Sequence, residues 1–259
     1  MNTDKRFIGE QNRLAVLTNL HRFGWLTNRM LAALIWPVAS QSVAMARRTV
    51  KNLVDEKLIL RRPLPAGGDC LVLSAAGARF LSDELGIAAH SGNSLSLGNP
   101  MHRACANWHA ISCINSGHQV WTEHQIQTAT APLVAYDGKI PDLLIETEHG
   151  IIWVEVENAW KNRHERNKIF EFATRHLTTN GELKELLPGS YLFRVAIVGT
   201  NPDSLRAMWY TFTDGFNQKK ICERQAADIE FVLLPVDKSL SVGSKMVGNL
   251  LYDGIIPYQ

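Results

Sequence analysis

KIPDLLIETEHGIIWVEVENAWKNR, residues 139–163, holds two apolar runs either side of Glu148-His149-Gly150. The pattern predicts a β-hairpin with strands over 139–146 and 151–157. A turn centred there pairs residues whose numbers sum to about 297, which sets Asp142 opposite Glu155. Glu157 shares their face because side chains alternate along a strand, while Ile152, Val154 and Val156 point the other way. Three carboxylates on one face repel one another, and Leu144 and Trp153 beside them predict a face that is not fully solvated. A divalent cation answers both facts. Mg²⁺ or Mn²⁺ takes oxygen ligands, keeps several waters and completes its shell with substrate phosphates. Asp142, Glu155 and Glu157 are therefore the candidate metal ligands and catalytic acids. Lys161, at the start of the following helix, is placed to orient a nucleophile or to stabilise a transition state. The alternative is an edge hairpin with a polar outer face and Lys161 on the surface.

Outward from the hairpin the same periodicities predict a helix over about 100–115 and an extended segment over 119–127. A long helix over 159–177, an apolar strand over 191–198, a helix over 202–222 and a strand over 229–234 follow. That order describes a central mixed sheet with helices on its faces. Residues 87–100, IAAHSGNSLSLGNP, are small and polar and are expected to be a linker. The chain is thus an α+β protein of two domains, 1–86 and 101–259.

The first domain predicts a winged helix-turn-helix. Helical spacing runs from Ile8 to Phe23 and closes at Gly24; Thr27 caps a second helix that ends before Pro37, and Ser40 caps a third reaching Glu56. Two extended segments, 58–64 and 70–74, flank Ala66-Gly67-Gly68-Asp69 as a hairpin or wing. A helix over 75–85 then turns Ala78, Phe80, Leu81 and Leu85 inward. Residues 1–65 carry eleven Lys and Arg against four acids, net +7, whereas the remainder carries 16 against 21, net −5. This asymmetry locates the docking site of a polyanion in the first domain. Arg47, Arg48 and Lys51 on the third helix, with Gln41 and Ser42 near its start and Arg61 and Arg62 on the wing, are the candidate DNA-binding residues. A basic helix in a protein-interaction module is the other reading.

Several classes are disfavoured. The N-terminus lacks the apolar segment of a secretory leader, and no run of about eighteen apolar residues occurs, which predicts a cytoplasmic protein without membrane partners. Cys70, Cys105, Cys113 and Cys222 form no CxxC pair and are expected as reduced core thiols. No phosphate-loop or GxGxxG motif is present, so no nucleotide cofactor is expected. The nine histidines include no His-x-His pair, which disfavours a conventional tyrosine relaxase.

Pro141-Asp142, a hairpin, and then Glu155-Val156-Glu157 at the end of an apolar strand resemble the PD-(D/E)xK pattern of restriction-type endonucleases. Glu157 stands where that superfamily usually has lysine; Lys161 is positioned as a migrated lysine, although a degenerate, inactive site has the same sequence. Adding the winged helix with Leu73-Ser74-Ala75-Ala76-Gly77-Ala78, the helix beginning Met101-His102-Arg103, and Trp121-Thr122-Glu123, nearly the whole chain resembles the replication-relaxation family. Within it the chain is most similar to the MobC-type relaxases of mobilisable plasmids. The resemblance implies a restriction-endonuclease-like second domain that nicks one strand of double-stranded DNA at a transfer origin, dependent on Mg²⁺ or Mn²⁺. It also implies accessory relaxosome and coupling proteins as partners. By matching position it carries over Asp142, Glu155 and Glu157 as the acidic core, Lys161 as auxiliary, Glu123 as a further ligand and His102 as a further catalytic candidate. The competing reading is a DNA-binding accessory or transcriptional regulator whose nuclease-like domain has lost its chemistry; a protein-interaction adaptor is the third.

Overall fold

Helix α1 (Lys5–Phe23) begins three residues before the apolar periodicity does, because the Asp4 side chain accepts a hydrogen bond from Arg6 N at 2.9 Å and caps it. The computed structural model in which this is seen describes residues 4–65, 67–158, 162–182 and 184–242, together with the backbone of Leu251–Gly254. Gly24, at φ 76°, ends α1. Helix α2 (Asn28–Ile35) is capped by Thr27, whose hydroxyl accepts from Met30 N. Helix α3 (Ser42–Asp55) starts later than Ser40 would place it, and Gln41 occupies its cap position without a side-chain bond. Strands β1 (Ile59–Pro63) and β2 (Asp69–Leu73) pair antiparallel, with Gly67 and Gly68 at φ 91° and 77° in the connection.

Helix α4 (Ala75–Leu85) explains the Ser74-Ala75-Ala76-Gly77 stretch. The Ser74 hydroxyl accepts from Gly77 N at 2.9 Å and donates to Lys57 O at 2.6 Å. A Cβ on Gly77 would lie 1.9 Å from Leu58 O, so only glycine lets the helix approach the chain entering β1. Leu17, Phe23, Trp25, Met30, Val50, Leu53, Leu71 and Leu81 are fully buried together with their neighbours, whereas Leu85, expected inward, is exposed.

The chain divides into two compact units, 1–100 and 101–259. Residues 87–100 belong to the first unit rather than spanning free between the two. Gly92 N donates to Leu73 O at 2.8 Å, and Arg62 donates to the carbonyls of Gly92 and Leu95.

In the second unit α5 (Pro100–Asn115) precedes β3 (Gln119–Trp121), α6 (Glu123–Gln127), β4 (Leu143–Thr147) and β5 (Gly150–Val156). Then come α7 (Arg163–His176), β6 (Glu185–Leu187), β7 (Ser190–Gly199), α8 (Pro202–Asn217), α9 (Glu223–Ala227), β8 (Ile229–Leu233) and β9 (Leu251–Gly254). The sheet runs β3-β4-β5-β7-β8-β9, with β6 folded antiparallel onto the start of β7. β5, β7 and β8 are parallel and the remaining pairs antiparallel, so the sheet is mixed. The β4–β5 hairpin pairs Leu143 with Val154, Leu144 with Trp153 and so on to Thr147 with Gly150, each pair summing to 297.

Two expected elements differ. The 119–127 segment leaves the sheet at Trp121 because Thr122 and Gln125 form a capping box, Gln125 N donating to the Thr122 hydroxyl and Thr122 N to the Gln125 side chain. The 202–222 helix stops at Asn217, and α9 follows as a separate turn. The expected start of the preceding helix, 159–161 with Lys161, lies outside the described residues; its described part is α7, capped by Asn162.

Leu144, Ile151, Trp153, Val195 and Ile197 pack on one sheet face with Phe172 of α7 and Met208 and Phe212 of α8. The Trp153 and Phe172 rings lie 4.5 Å apart. On the other face, His109 and Cys113 of α5 line a cavity of about 660 Å³ with Ile145, Ile152 and Ala196. Of the four free cysteines, Cys70 and Cys105 are in the core, while Cys222, expected there, is exposed. Among the described residues no helix is long and apolar enough to cross a membrane.

Candidate functional site

The carboxyl ends of the parallel strands β5 and β7 lie side by side, the position at which open sheets of this kind present ligands. Asp142 sits there, just before β4. Its N–H donates to Val154 O at 3.0 Å and its Oδ2 accepts from Val156 N at 2.7 Å, so the hairpin register itself fixes the carboxylate. Its Oδ1 lies 3.0 Å from His102 Nε2, in the first turn of α5. That turn is tied to the strand ends by Asn158, whose amide donates to Met101 O and accepts from Thr200 N.

The capping box that starts α6 delivers Glu123 to the same place. Arg103 Nε is ion-paired with Glu123 Oε2 at 2.6 Å, Arg103 Nη2 donates to Gln127 Oε1, and Gln127 Nε2 donates back to Glu123 Oε1. The three side chains thus brace one another. Burial pushes the Glu123 carboxyl above its ordinary range; Arg103 opposes this, the Asp142 charge adds to it, and His102 opposes it.

Among the described residues, His102, Glu123 and Asp142 form the one set of three side chains that each offer a ligand atom within 4.8 Å of the others. The donor set fits a divalent ion. His102 and Asp142 are hydrogen-bonded to each other at 3.0 Å, and an ion bound between them would take the place of that shared proton. An imidazole with two carboxylates suits Mn²⁺ and neighbouring first-row ions at least as well as Mg²⁺.

The expected set of Asp142, Glu155 and Glu157 is arranged otherwise. Glu155 is buried on the Trp153 side of the sheet; its Oε1 accepts from Trp153 Nε1 at 2.6 Å and its Oε2 is 2.6 Å from Lys139 Nζ. Burial raises this carboxyl, against the pull of Lys139, and the Asp142 charge raises it further. The positive charge that the crowded carboxylates demanded is supplied at Glu155 by Lys139, while Asp142 is hydrogen-bonded to His102. Glu157 is 1% exposed, past the end of β5, with its N–H bonded to Val198 O and its carbonyl accepting from Ser204. Gly199 is held close against it, since a Cβ there would come within 2.7 Å of Glu157 O.

Lys139, Arg103, Gln127 and Asn158 were not anticipated. Two signals were present: Asp137-Gly138, the dipeptide of a tight hairpin turn just before Lys139, and the Thr122–Gln125 capping box.

In the first unit Gln41, Arg47, Arg48, Lys51 and Arg61 are exposed and Ser42 half-exposed. Arg62 is the exception among the expected DNA contacts, because the carbonyls of Gly92 and Leu95 occupy its guanidinium.

Compared with protein-family models, with characterised proteins and with solved structures, the chain finds no match.

Proposed function

We propose that the protein grips double-stranded DNA with the α3 face and nicks one strand at the His102–Glu123–Asp142 centre in a divalent-metal-dependent reaction. This is the activity implied by the resemblance to MobC-type relaxases. The observation that carries it is the convergence of three ligand atoms at the carboxyl ends of the parallel strands, beside a lysine held by a buried acid.

Each residue has a task that its surroundings support. His102, Glu123 and Asp142 would hold the ion. Asp142 is kept in orientation by Val156 N–H, and Glu123 by Arg103 and Gln127, so the ligands are held ready rather than gathered at the moment of binding. The bound ion would lower the pKa of a coordinated water and neutralise charge developing on the phosphate. Arg103, whose guanidinium braces Glu123 and Gln127, would keep the Glu123 carboxylate in place beside the ion. On the first unit, α3 presents Arg47, Arg48 and Lys51 on its open face, as a helix entering the major groove requires, and Arg61 of β1 would reach the flanking backbone. The unit would thus serve as a winged helix and the second as a restriction-endonuclease-like domain.

The test is a supercoiled plasmid carrying candidate origin DNA, incubated with Mg²⁺ or Mn²⁺ and wild type, Asp142→Ala or His102→Ala. Nicking by the wild type and by neither variant is the expected result. One observation favours the reading without chemistry: Glu155 and Glu123 already have protein partners. Tight duplex binding with no nicking in either metal would establish that second reading, a DNA-binding accessory or regulatory protein.

A further inference from the structure

A nuclease centre needs a cation on the substrate side of its acids, and one stands where no motif pointed. Lys139 Nζ lies 2.6 Å from Glu155 Oε2. The two partners are not equivalent: the Glu155 side chain is 6% exposed and the Lys139 side chain 21%, so the lysine is the more exposed of the pair. The acid's other oxygen is taken by Trp153 Nε1, which leaves Glu155 fully engaged inside the protein. An ammonium has three donors, and one carboxylate oxygen uses one of them.

The lysine is delivered by a built device. Tyr136 and Lys139 exchange backbone hydrogen bonds, Tyr136 N to Lys139 O at 2.8 Å and Lys139 N to Tyr136 O at 3.0 Å. Between them Asp137 and Gly138 both take positive φ, 48° and 75°, which is the two-residue turn that an Asp-Gly pair favours. The turn is bolted to α7, for the Asp137 carboxylate meets His176 Nε2 at 2.9 Å and the Arg175 guanidinium, and the Tyr136 ring stands edge-on to His176. Three residues later the same segment carries Asp142, just before β4. Lys139 also lines an open groove of about 480 Å³ whose charged side chains are of both signs, Asp137, Glu165 and Glu171 beside Lys168 and Arg175, and the Glu155 that it pairs with feels the charge of Asp142.

We propose that Lys139 is the catalytic lysine of this centre, its ammonium contacting a non-bridging oxygen of the scissile phosphate, and that Glu155 is a positioning residue that holds it and not a metal ligand. The proposal rests on the nuclease reading for its substrate, and it takes from Lys161 the role that the sequence suggested.

The experiment uses the full chain. Mn²⁺ alone, then inorganic phosphate in saturating Mn²⁺, are titrated by calorimetry into wild type, Lys139→Met, Glu155→Gln, the double variant and Lys161→Ala, and each is assayed for plasmid nicking. Lys139→Met is expected to keep its Mn²⁺ affinity, to lose phosphate affinity by about tenfold or more, and to lose nicking by about a hundredfold. Glu155→Gln is expected to keep Mn²⁺ affinity while phosphate affinity falls. Should Lys139→Met fail to fold because it strands a buried acid, the double variant removes both charges and keeps an acceptor for Trp153. Phosphate binding that survives in the Lys139 variants, or that is undetectable in the wild type, overturns the proposal. So does a loss of Mn²⁺ affinity in Glu155→Gln, or a loss of phosphate binding in Lys161→Ala alone. A wild type that never nicks but binds phosphate through Lys139 defeats the nuclease reading and leaves the lysine contact standing.

Discussion

The two units hold their functional charges in opposite ways. In residues 1–100, Arg47, Arg48 and Lys51 stand on the open face of α3 in water, while the one expected DNA contact that is not free, Arg62, is tied to carbonyls of 87–100. In residues 101–259 the charged groups are gripped: Asp142 by Val156 N–H and His102, Glu123 by Arg103 and Gln127, Glu155 by Lys139 and Trp153. Exposed cations attract a polyanion through counterion release, act nearly independently and need no fixed geometry. Groups meant for chemistry need fixed positions, and near the interior they hold their charge only with partners. The contrast predicts that damage to the two units separates into lost affinity and lost turnover.

The largest effect is expected at Asp142. Asp142→Ala removes a proposed ligand and the link from β5 to α5, and on the nuclease reading plasmid nicking should fall by about 10³-fold. Duplex affinity, measured by anisotropy, should stay within about twofold if binding is electrostatic and resides in the other unit. A comparable fall in affinity would break the comparison, because the site would then be part of the grip.

Next comes pH. Burial pulls the His109 imidazole of α5 down to about 4. A histidine lowered in the folded state contributes its full stability above the unfolded value near 6.5, and that contribution is lost as pH falls toward 4. The unfolded chain takes up the proton first. Over that window the second unit should lose about 3 kcal/mol from this group, read as a falling urea midpoint. His109→Leu should flatten that slope; an unchanged slope would show that the imidazole finds water.

The distribution of charge also shows which parts of the molecule were legible. The hairpin register followed from local alternation about a turn, and the cap at Thr27 and the stop at Gly24 are contained within a few residues of the helix they bound. The partners of the site are not local. Lys139 and Glu155 are 16 positions apart, and their meeting depends on which way a turn before β4 points. Arg62 reaches carbonyls 30 and 33 residues away, so a basic wing residue and a structural tie look alike in sequence. Helix α6 was hidden for a different reason: Val120, Trp121 and Ile126 suit a strand, and tertiary context with a capping box decided otherwise. The same box places Glu123 beside Asp142, a neighbourhood that the resemblance implies and the periodicity alone does not.

A smaller effect should mark the first unit. Replacing Arg47, Arg48 and Lys51 together by Ala should lower duplex affinity roughly ten- to hundredfold and flatten the dependence of log K on log salt by about 2.7, or about 0.9 for each phosphate no longer neutralised. Nicking at saturating protein should persist. A slope that does not change would mean that α3 faces something other than DNA, such as an acidic protein partner.

The finest test lies between neighbours on β1. Arg61 is exposed, and Arg62 is bound to the 87–100 segment. Arg61→Ala should cost the salt slope about 0.9 and leave stability alone, because a surface change that breaks no buried bond moves stability by less than about 0.5 kcal/mol. Arg62→Ala should do the reverse. Losing hydrogen bonds from a charged donor to two carbonyls should cost about 1–3 kcal/mol in denaturant titration with little change in slope. If both substitutions act on DNA alike, the docking of residues 87–100 yields when duplex is present, and Arg62 joins the grip only in the complex.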